Sequence, residues 1–266
     1  MINYLHNHLP NEVFLNFGFI KIYYYGLIFA LAFIIGYFFI NKFAKRKNIE
    51  GNHVFNLIFY VIIFSLVGAR LYYVLFYNPI YFFNYPGEII KIWQGGISLH
   101  GVFIGALLTI YFYTKRYRLN FWNFTDLFVL TFSLVQAIGR WGNYFNQELY
   151  GRPTDLPWGI PIDYNHRLTG YENFQYFHPT FFYESVLNLL LFLVLILLFY
   201  KKKLAPGILT LFYLIGYSLI RFFMEFIRID PAITIFGIRL PQIICLLIII
   251  ASLGILIKKP LGRDNS

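Results

Sequence analysis

The stretch YYYGLIFALAFIIGYFFINKFAKRK (residues 23–47) holds no charge before Lys42, then four basic residues in six positions: Lys42, Lys45, Arg46 and Lys47. An apolar run of this length covers the ~30 Å hydrocarbon layer of a bilayer as a helix. A basic cluster directly after it marks the end retained in the cytoplasm. The same pattern recurs along the chain. Apolar runs at 19–40, 54–77, 97–114, 122–139, 180–200, 206–227 and 239–257 predict seven transmembrane helices. Further basic clusters follow the third, fifth and seventh: Lys115, Arg116 and Arg118; Lys201, Lys202 and Lys203; Lys258, Lys259 and Arg263. The expected topology therefore has its N-terminus outside and its C-terminus in the cytoplasm.

Composition agrees with that reading. Of 266 residues, 59% are apolar and only 13% are charged, against ~45–50% and ~25% in soluble domains. Mean hydropathy is +0.60. A soluble enzyme, a disordered chain and a disulfide scaffold are excluded. The net charge of +10 is no nucleic-acid footprint, because 13 of the 22 basic residues lie in the four clusters, accompanied only by Glu50 and Asp264. The expectation is an all-α polytopic protein, a single membrane domain over 1–266, with no nucleic-acid partner. Residues 78–96, aromatic with Pro79, Pro86 and Gly87, read as an extracytoplasmic interfacial arm. Residues 140–178, charged and Pro-rich yet holding Trp158, Tyr164, Tyr171 and Phe174, read as a small folded extracytoplasmic cap. The single cysteine, Cys245, permits no intrachain disulfide and reads as a small hydrophobe. The first twenty residues lack the features of a cleaved signal peptide.

Charges placed in or beside a span cost ~2.5–3.5 kcal/mol on insertion scales, so each calls for a reason. In YSLIRFFMEFIR (217–228), Tyr217, Arg221, Glu225 and Arg228 fall within a helical stripe about 80° wide, with Phe222, Phe223 and Phe226 on the other faces. The stripe reads as a lining of the bundle or of a cavity; a purely structural Arg–Glu pair at i,i+4 is the alternative. In GGISLHGVFIG (95–105), His100 lies one turn inside the outer end, able as a neutral imidazole to take a proton from a thiol or hydroxyl. A hydrogen bond to a neighbouring helix would explain it equally. Gly101 and Gly105 read as close helix packing. In GRWGNYFNQELYG (139–151), Arg140 offers a planar fork suited to phosphate. Asn143, Asn146 and Glu148 can orient it, and the glycines let backbone approach a ligand. An anchoring role at a helix end remains the competing reading. Arg70, Asp126 and Glu184 read as snorkelling or capping charges, and Pro179 as the first position of the fifth span. His6 and His8 are a poor ligand set, and neither a phosphate loop nor a metal cluster is seen, so no metal and no cofactor are expected. These residues point to a site for an anionic lipid head group. A transporter for an anionic lipid stays open beside a lipid-modifying enzyme, although the odd span number and lack of an inverted repeat speak against it.

The segment 139–151 resembles the signature of the prolipoprotein diacylglyceryl transferase family, Gly-Arg-x-Gly-Asn-Phe-x-Asn-x-Glu-x-x-Gly, with Tyr144 in place of Phe. The resemblance continues in IYYYG (22–26), GARLYYV (68–74), GGISLHG (95–101), HPTFFYE (178–184) and YSLIRFFMEFIR, in order along nearly the whole chain. It implies a multi-pass enzyme of the bacterial inner membrane with its site toward the outer leaflet. The reaction implied moves the diacylglyceryl group of phosphatidylglycerol, a membrane lipid, to the lipobox cysteine thiol of a prolipoprotein signal peptide, releasing glycerol phosphate. Carried over by position, His100 and Arg140, with Arg221, are the expected catalytic residues. Arg140, Tyr25, Asn143, Asn146, Glu148, Gly151, Tyr217 and Glu225 are the expected phosphatidylglycerol-binding residues.

Overall fold

The computed structural model describes residues 2–18, 20–201 and 204–258. Lys202, Lys203, Lys259, Arg263 and Asp264 of the predicted charge clusters lie outside the described residues. A short α1 (Ile2–Asn7) precedes a hairpin of β1 (Val13–Asn16) and β2 (Lys21–Tyr23). There follow α2 (Tyr24–Arg46), α3 (Gly51–Phe76), a short α4 (Pro79–Asn84), α5 (Leu99–Arg116) and α6 (Phe121–Phe145). Two-residue strands β3 (Ile160–Pro161) and β4 (Tyr176–Phe177) pair antiparallel before α7 (Thr180–Lys201) and α8 (Ile208–Met224). A final hairpin of β5 (Thr234–Ile235) and β6 (Ile238–Arg239) leads into α9 (Leu240–Lys258).

Five of these helices, α2, α3, α6, α7 and α9, are long and apolar enough to cross a membrane, the make-up of a multi-pass all-α membrane protein. Their exposed faces carry large side chains such as Ile34, Phe38, Leu247 and Ile250, which no water-facing surface would tolerate in such number. Of the two remaining apolar runs, α5 has 18 residues but spends His100, Lys115 and Arg116 within them. The α8 helix is apolar but only 17 residues long. Its predicted extent to 227 is shortened because Glu225 caps it, and residues 225–227 form a turn. At the other extreme, α6 runs past the expected 139 to Phe145, so Arg140 and Asn143 stand on a helix rather than in the connecting segment. The first span starts at Tyr24 rather than 19, since Lys21–Tyr23 pairs as a strand with Val13–Asn16.

The chain divides into two compact units, one of Met1–Phe39 with Phe128–Ser266, the other Ile40–Leu127. In the first, the segment after α6 folds over a core of Leu5, Tyr144, Tyr150, Ile160, Ile162, Phe177 and Phe181. Gln147 ties it down by donating to the Pro10 carbonyl (3.1 Å) and accepting from the Asp163 N–H (2.7 Å). His6 stacks on Tyr176 with ring centroids 4.4 Å apart. In the second unit, α3 packs along α5 at a crossing made of glycines. A Cβ on Gly101 would strike the Gly68 carbonyl oxygen, and one on Gly105 the Phe64 carbonyl oxygen. The backbones touch there, as small-residue crossings in membrane proteins allow.

Arg70 holds the segment between α4 and α5. It is 7% exposed and donates to the carbonyls of Glu88 (2.6 Å), Ile89 (2.8 Å), Gly95 (2.7 Å) and Gly96 (2.8 Å). Its guanidinium also lies 5.1 Å from the Phe82 ring centroid. It does not snorkel. Asp126, likewise, is buried and pairs with Lys47 at 3.3 Å. Gly101→Ala is expected to destabilise by ~1–3 kcal/mol, since backbone rather than a flexible side chain must move. Gly254→Ala in α9, where no atom lies within 4 Å of the added carbon, should be neutral or slightly stabilising. Thermal unfolding of both variants in detergent checks the contrast; equal midpoints would contradict it.

Candidate functional site

The site grows from the C-terminal end of α6. Arg140 and Asn143 are one turn apart, and the Arg140 Nη1 donates to the Asn143 Oδ1 at 3.2 Å. The Asn143 amide passes the link on, donating to the Glu148 carboxylate at 2.7 Å. Gly142 lies between them because a Cβ would stand 2.9 Å from the Tyr25 ring. Tyr25 thereby packs against α6 at Gly142. Asn146 closes the helix, its N–H on the Gly142 carbonyl at 3.0 Å.

The other Nη of Arg140 pairs with Glu184, on the first turns of α7. Glu184 is 2% exposed and its second oxygen meets the Arg228 Nη1 at 3.1 Å. Arg228 in turn donates from Nε to Asp230 at 2.7 Å. Burial alone would push the Asp230 carboxyl up, but the Arg228 hydrogen bond and the charges of Arg228, Arg221 and Arg239 hold it below the usual range. Arg239, at the base of the β5–β6 hairpin, donates to the carbonyls of Arg228 (2.6 Å) and Asp230. Its Nε lies 2.9 Å from Glu225, which also faces the Arg221 Nη2 at 2.8 Å. Glu225 is 1% exposed; its oxygens meet both guanidinia as close ion pairs without aligned hydrogen bonds. The structural Arg221–Glu225 pair, the alternative reading of this stripe, is therefore present at the end of α8, while Arg228 turns to Glu184 and Asp230.

Gly151 explains its own identity. Its N–H donates to the His178 carbonyl at 2.9 Å, and an added Cβ would fall within 2.9 Å of His178, Ile227 and Thr180. It bridges Arg228 in an isolated antiparallel pair, so the connecting segment and the arginine cluster are stitched together through backbone. Burial pushes the adjacent His178 ring down from its ordinary value. Tyr217 stacks parallel on Tyr213, 5.8 Å between centroids.

Of the residues singled out in the sequence, Tyr25, Arg140, Asn143, Asn146, Glu148, Gly151, Tyr217, Arg221 and Glu225 all belong to the first unit. His100 belongs to the second, on the first turn of α5, its ring stacked on Tyr72 at 5.6 Å. Glu184, Arg228, Asp230 and Arg239 complete the cluster and were missed as partners. HPTFFYE already held Glu184, and one turn on the Asn188 amide donates to the Glu184 main-chain carbonyl at 2.7 Å. No spacing rule, however, links Glu184 to Arg228, 44 residues on.

Four guanidinia (Arg140, Arg221, Arg228, Arg239) face three carboxylates (Glu184, Glu225, Asp230), which leaves one positive charge over. Glu148 is exposed and reaches Arg140 only through Asn143. The Arg221 Nη1 is buried with no hydrogen-bond partner among the described residues. Such a donor costs ~1–3 kcal/mol or more until an acceptor arrives. An anion with several oxygens, such as a phosphate ester, meets both conditions.

A sequence model of the family described as prolipoprotein diacylglyceryl transferase matches residues 12–258. A phosphatidylglycerol–prolipoprotein diacylglyceryl transferase of Prochlorococcus marinus subsp. pastoris is 41% identical over 239 residues, 84% of this chain and 80% of the relative. Proteins of the same description from Synechococcus elongatus (39% over 245 residues; 90% and 84%) and Trichormus variabilis (40% over 242; 89% and 85%) are similar throughout.

Glu184→Gln keeps the shape but strips the charge between Arg140 and Arg228. A loss of ~3–5 kcal/mol is expected, as when one partner of a buried ion pair is removed, read as a lower unfolding midpoint in detergent. An unchanged midpoint would mean that Asp230 alone suffices to hold Arg228.

Proposed function

The chain belongs to the prolipoprotein diacylglyceryl transferase family and transfers the diacylglyceryl group of phosphatidylglycerol to prolipoprotein; we propose that its arginine–carboxylate cluster holds the lipid phosphate and that His100 handles the proton. The observation that carries the phosphate assignment is the buried Nη1 of Arg221, which has no hydrogen-bond partner among the described residues, in a cluster whose described residues leave one cation to spare.

The acceptor is the lipobox cysteine thiol of the signal peptide. A free thiol has pKa ~8.5, so only a few per cent is thiolate at neutral pH. His100 takes the thiol proton, and the sulfur attacks the glycerol carbon that bears the phosphate ester. The C–S bond forms as the C–O bond breaks, and glycerol phosphate departs with the electron pair. Negative charge grows on the phosphate oxygens during that step. Arg221 meets it with its unused Nη1. The two Nη groups of Arg140 are already on Asn143 and Glu184, so phosphate takes the hydrogens those partners leave, a guanidinium having five. Preorganised donors of this kind contribute ~2.7–4 kcal/mol each in other enzymes. Tyr25, Asn143, Asn146, Glu148, Gly151, Tyr217 and Glu225 shape the lipid site around them.

The site faces the outer leaflet of the bacterial inner membrane in this reading. Seven spans, with α5 and α8 crossing beside longer neighbours, place the N-terminus outside and the C-terminus in the cytoplasm. Support comes from Lys45 and Arg46, Lys115 and Arg116, Lys201 and Lys258, each in the last turn of α2, α5, α7 and α9. The arm (78–96) and the folded segment between α6 and α7 then lie on the outer side of one membrane domain.

Incubation of the purified protein with phosphatidylglycerol and a lipobox peptide, followed by mass spectrometry, is expected to give a diacylglyceryl mass gain on the Cys peptide and none on a Cys→Ser peptide. Arg221→Gln should lower the rate ~10²–10³-fold. Arg140→Lys should lose most activity, because an ammonium cannot serve Glu184, Asn143 and phosphate in one plane; near-normal turnover would remove the clamp assignment. An Asn substitution at His100 that kept full rate across pH 6–8 would exclude it as the base.

A further inference from the structure

The unit of residues 40–127 carries a groove lined by none of the arginine-cluster residues. Helices α3 and α5 run antiparallel, with Tyr60 against Tyr113 at one end and Tyr72 against His100 at the other. Where they cross, Gly68, Gly101 and Gly105 leave no side chains between the backbones. The larger residues on either side line an open groove of about 700 Å³. Its lining includes Phe64, Gly68, Tyr72, Leu108 and Phe112, and among the described residues Arg116 at one end is its only charged one.

From Gly101 to Arg116 the helix rises about 22 Å at 1.5 Å per residue, and along that length an extended hydrocarbon chain meets an almost wholly apolar lining. Charge selects the head group. Arg116 is exposed, and among the described residues no carboxylate pairs with it; Lys115, set over the Tyr111 ring at 5.7 Å, and Arg118 add charge of the same sign. An anionic head group is attracted there, whereas the ammonium of a zwitterionic lipid is repelled.

We propose that the α3–α5 groove binds an anionic phospholipid, one acyl chain lying along the glycine crossing and the phosphate on Arg116. The site is separate in kind from the arginine cluster, which holds the phosphate ester that reacts. It also gives the Gly101-x-x-x-Gly105 motif a second consequence beyond helix packing.

Native mass spectrometry of the full chain in nonionic detergent, titrated with phosphatidylserine or phosphatidylcholine, tests this. The wild type should retain phosphatidylserine in preference to phosphatidylcholine. Arg116→Gln should weaken that retention about fivefold, the ~1 kcal/mol of one basic side chain at an anionic surface. Leu108→Trp, which fills the groove, should weaken retention of both lipids. Arg221→Gln, which disables the other cationic site, should keep the Arg116-dependent binding. Equal retention of the two lipids by the wild type, no change in Arg116→Gln, or a loss confined to Arg221→Gln would each overturn the proposal. So would displacement of the lipid by a lipobox signal peptide in the wild type, which would assign the groove to that substrate. Should Leu108→Trp fail to fold, Arg116→Gln on the protein surface decides alone.

Discussion

The Glu184 carboxylate sits between two guanidinia, Arg140 of α6 and Arg228 beyond α8. Taking one ion out of water costs several kcal/mol even after relaxation, and only partners on both oxygens offset it. That requirement fixes three segments against one another: the end of α6, the start of α7 and the turn that follows α8. Arg228 then carries Asp230, and the Gly151 backbone bridges Arg228 with no room for a Cβ. Arg239 extends the chain of contacts to Glu225 and Arg221. The geometry offered to an anion follows from satisfying one buried carboxylate.

The same physics is solved differently around Arg70. Among the described residues no carboxylate faces it; four backbone carbonyls do, two from the 3-10 turn at Pro86–Ile90 and two from Gly95 and Gly96. Gly96 is required because a Cβ there would stand 2.7 Å from the Arg70 Nη1. A cation held by dipoles stays in place without a counter-charge, whereas the arginine cluster keeps one charge over. The first arrangement anchors the approach to α5 and His100. The second keeps, among the described residues, a buried Arg221 Nη1 with no hydrogen-bond partner.

Much of this was legible in the residues. The apolar runs locate the helices to within a few positions, because length and hydropathy are local properties. The i,i+4 relation of Arg221 to Glu225 follows from helical geometry alone, as does the nearness of Arg140 to Asn143. Several readings needed correction. Arg70, Asp126 and Glu184 are buried with partners, not snorkelling; α6 continues to Phe145, the first span starts at Tyr24, and α8 ends at Met224. The three charges share one cause: nothing in a run of neighbours reveals a partner contributed from elsewhere. Glu184 shows this most clearly, since its local neighbours suggest a helix-end residue and its distant ones make it the centre of the cluster.

By itself, the sequence determined the membrane class, the approximate helices and the family, through apolar periodicity, clustered basic residues and the thirteen-residue signature at 139–151. These depend on interactions within a turn or two, or with the bilayer, and so are written in consecutive residues. Only the tertiary structure decided which charges pair, where Gly68, Gly101 and Gly105 bring two backbones together, and that Arg221 keeps a buried donor unmet among the described residues. Those outcomes depend on burial and on contacts between residues far apart in the chain, where the low dielectric makes each partner indispensable.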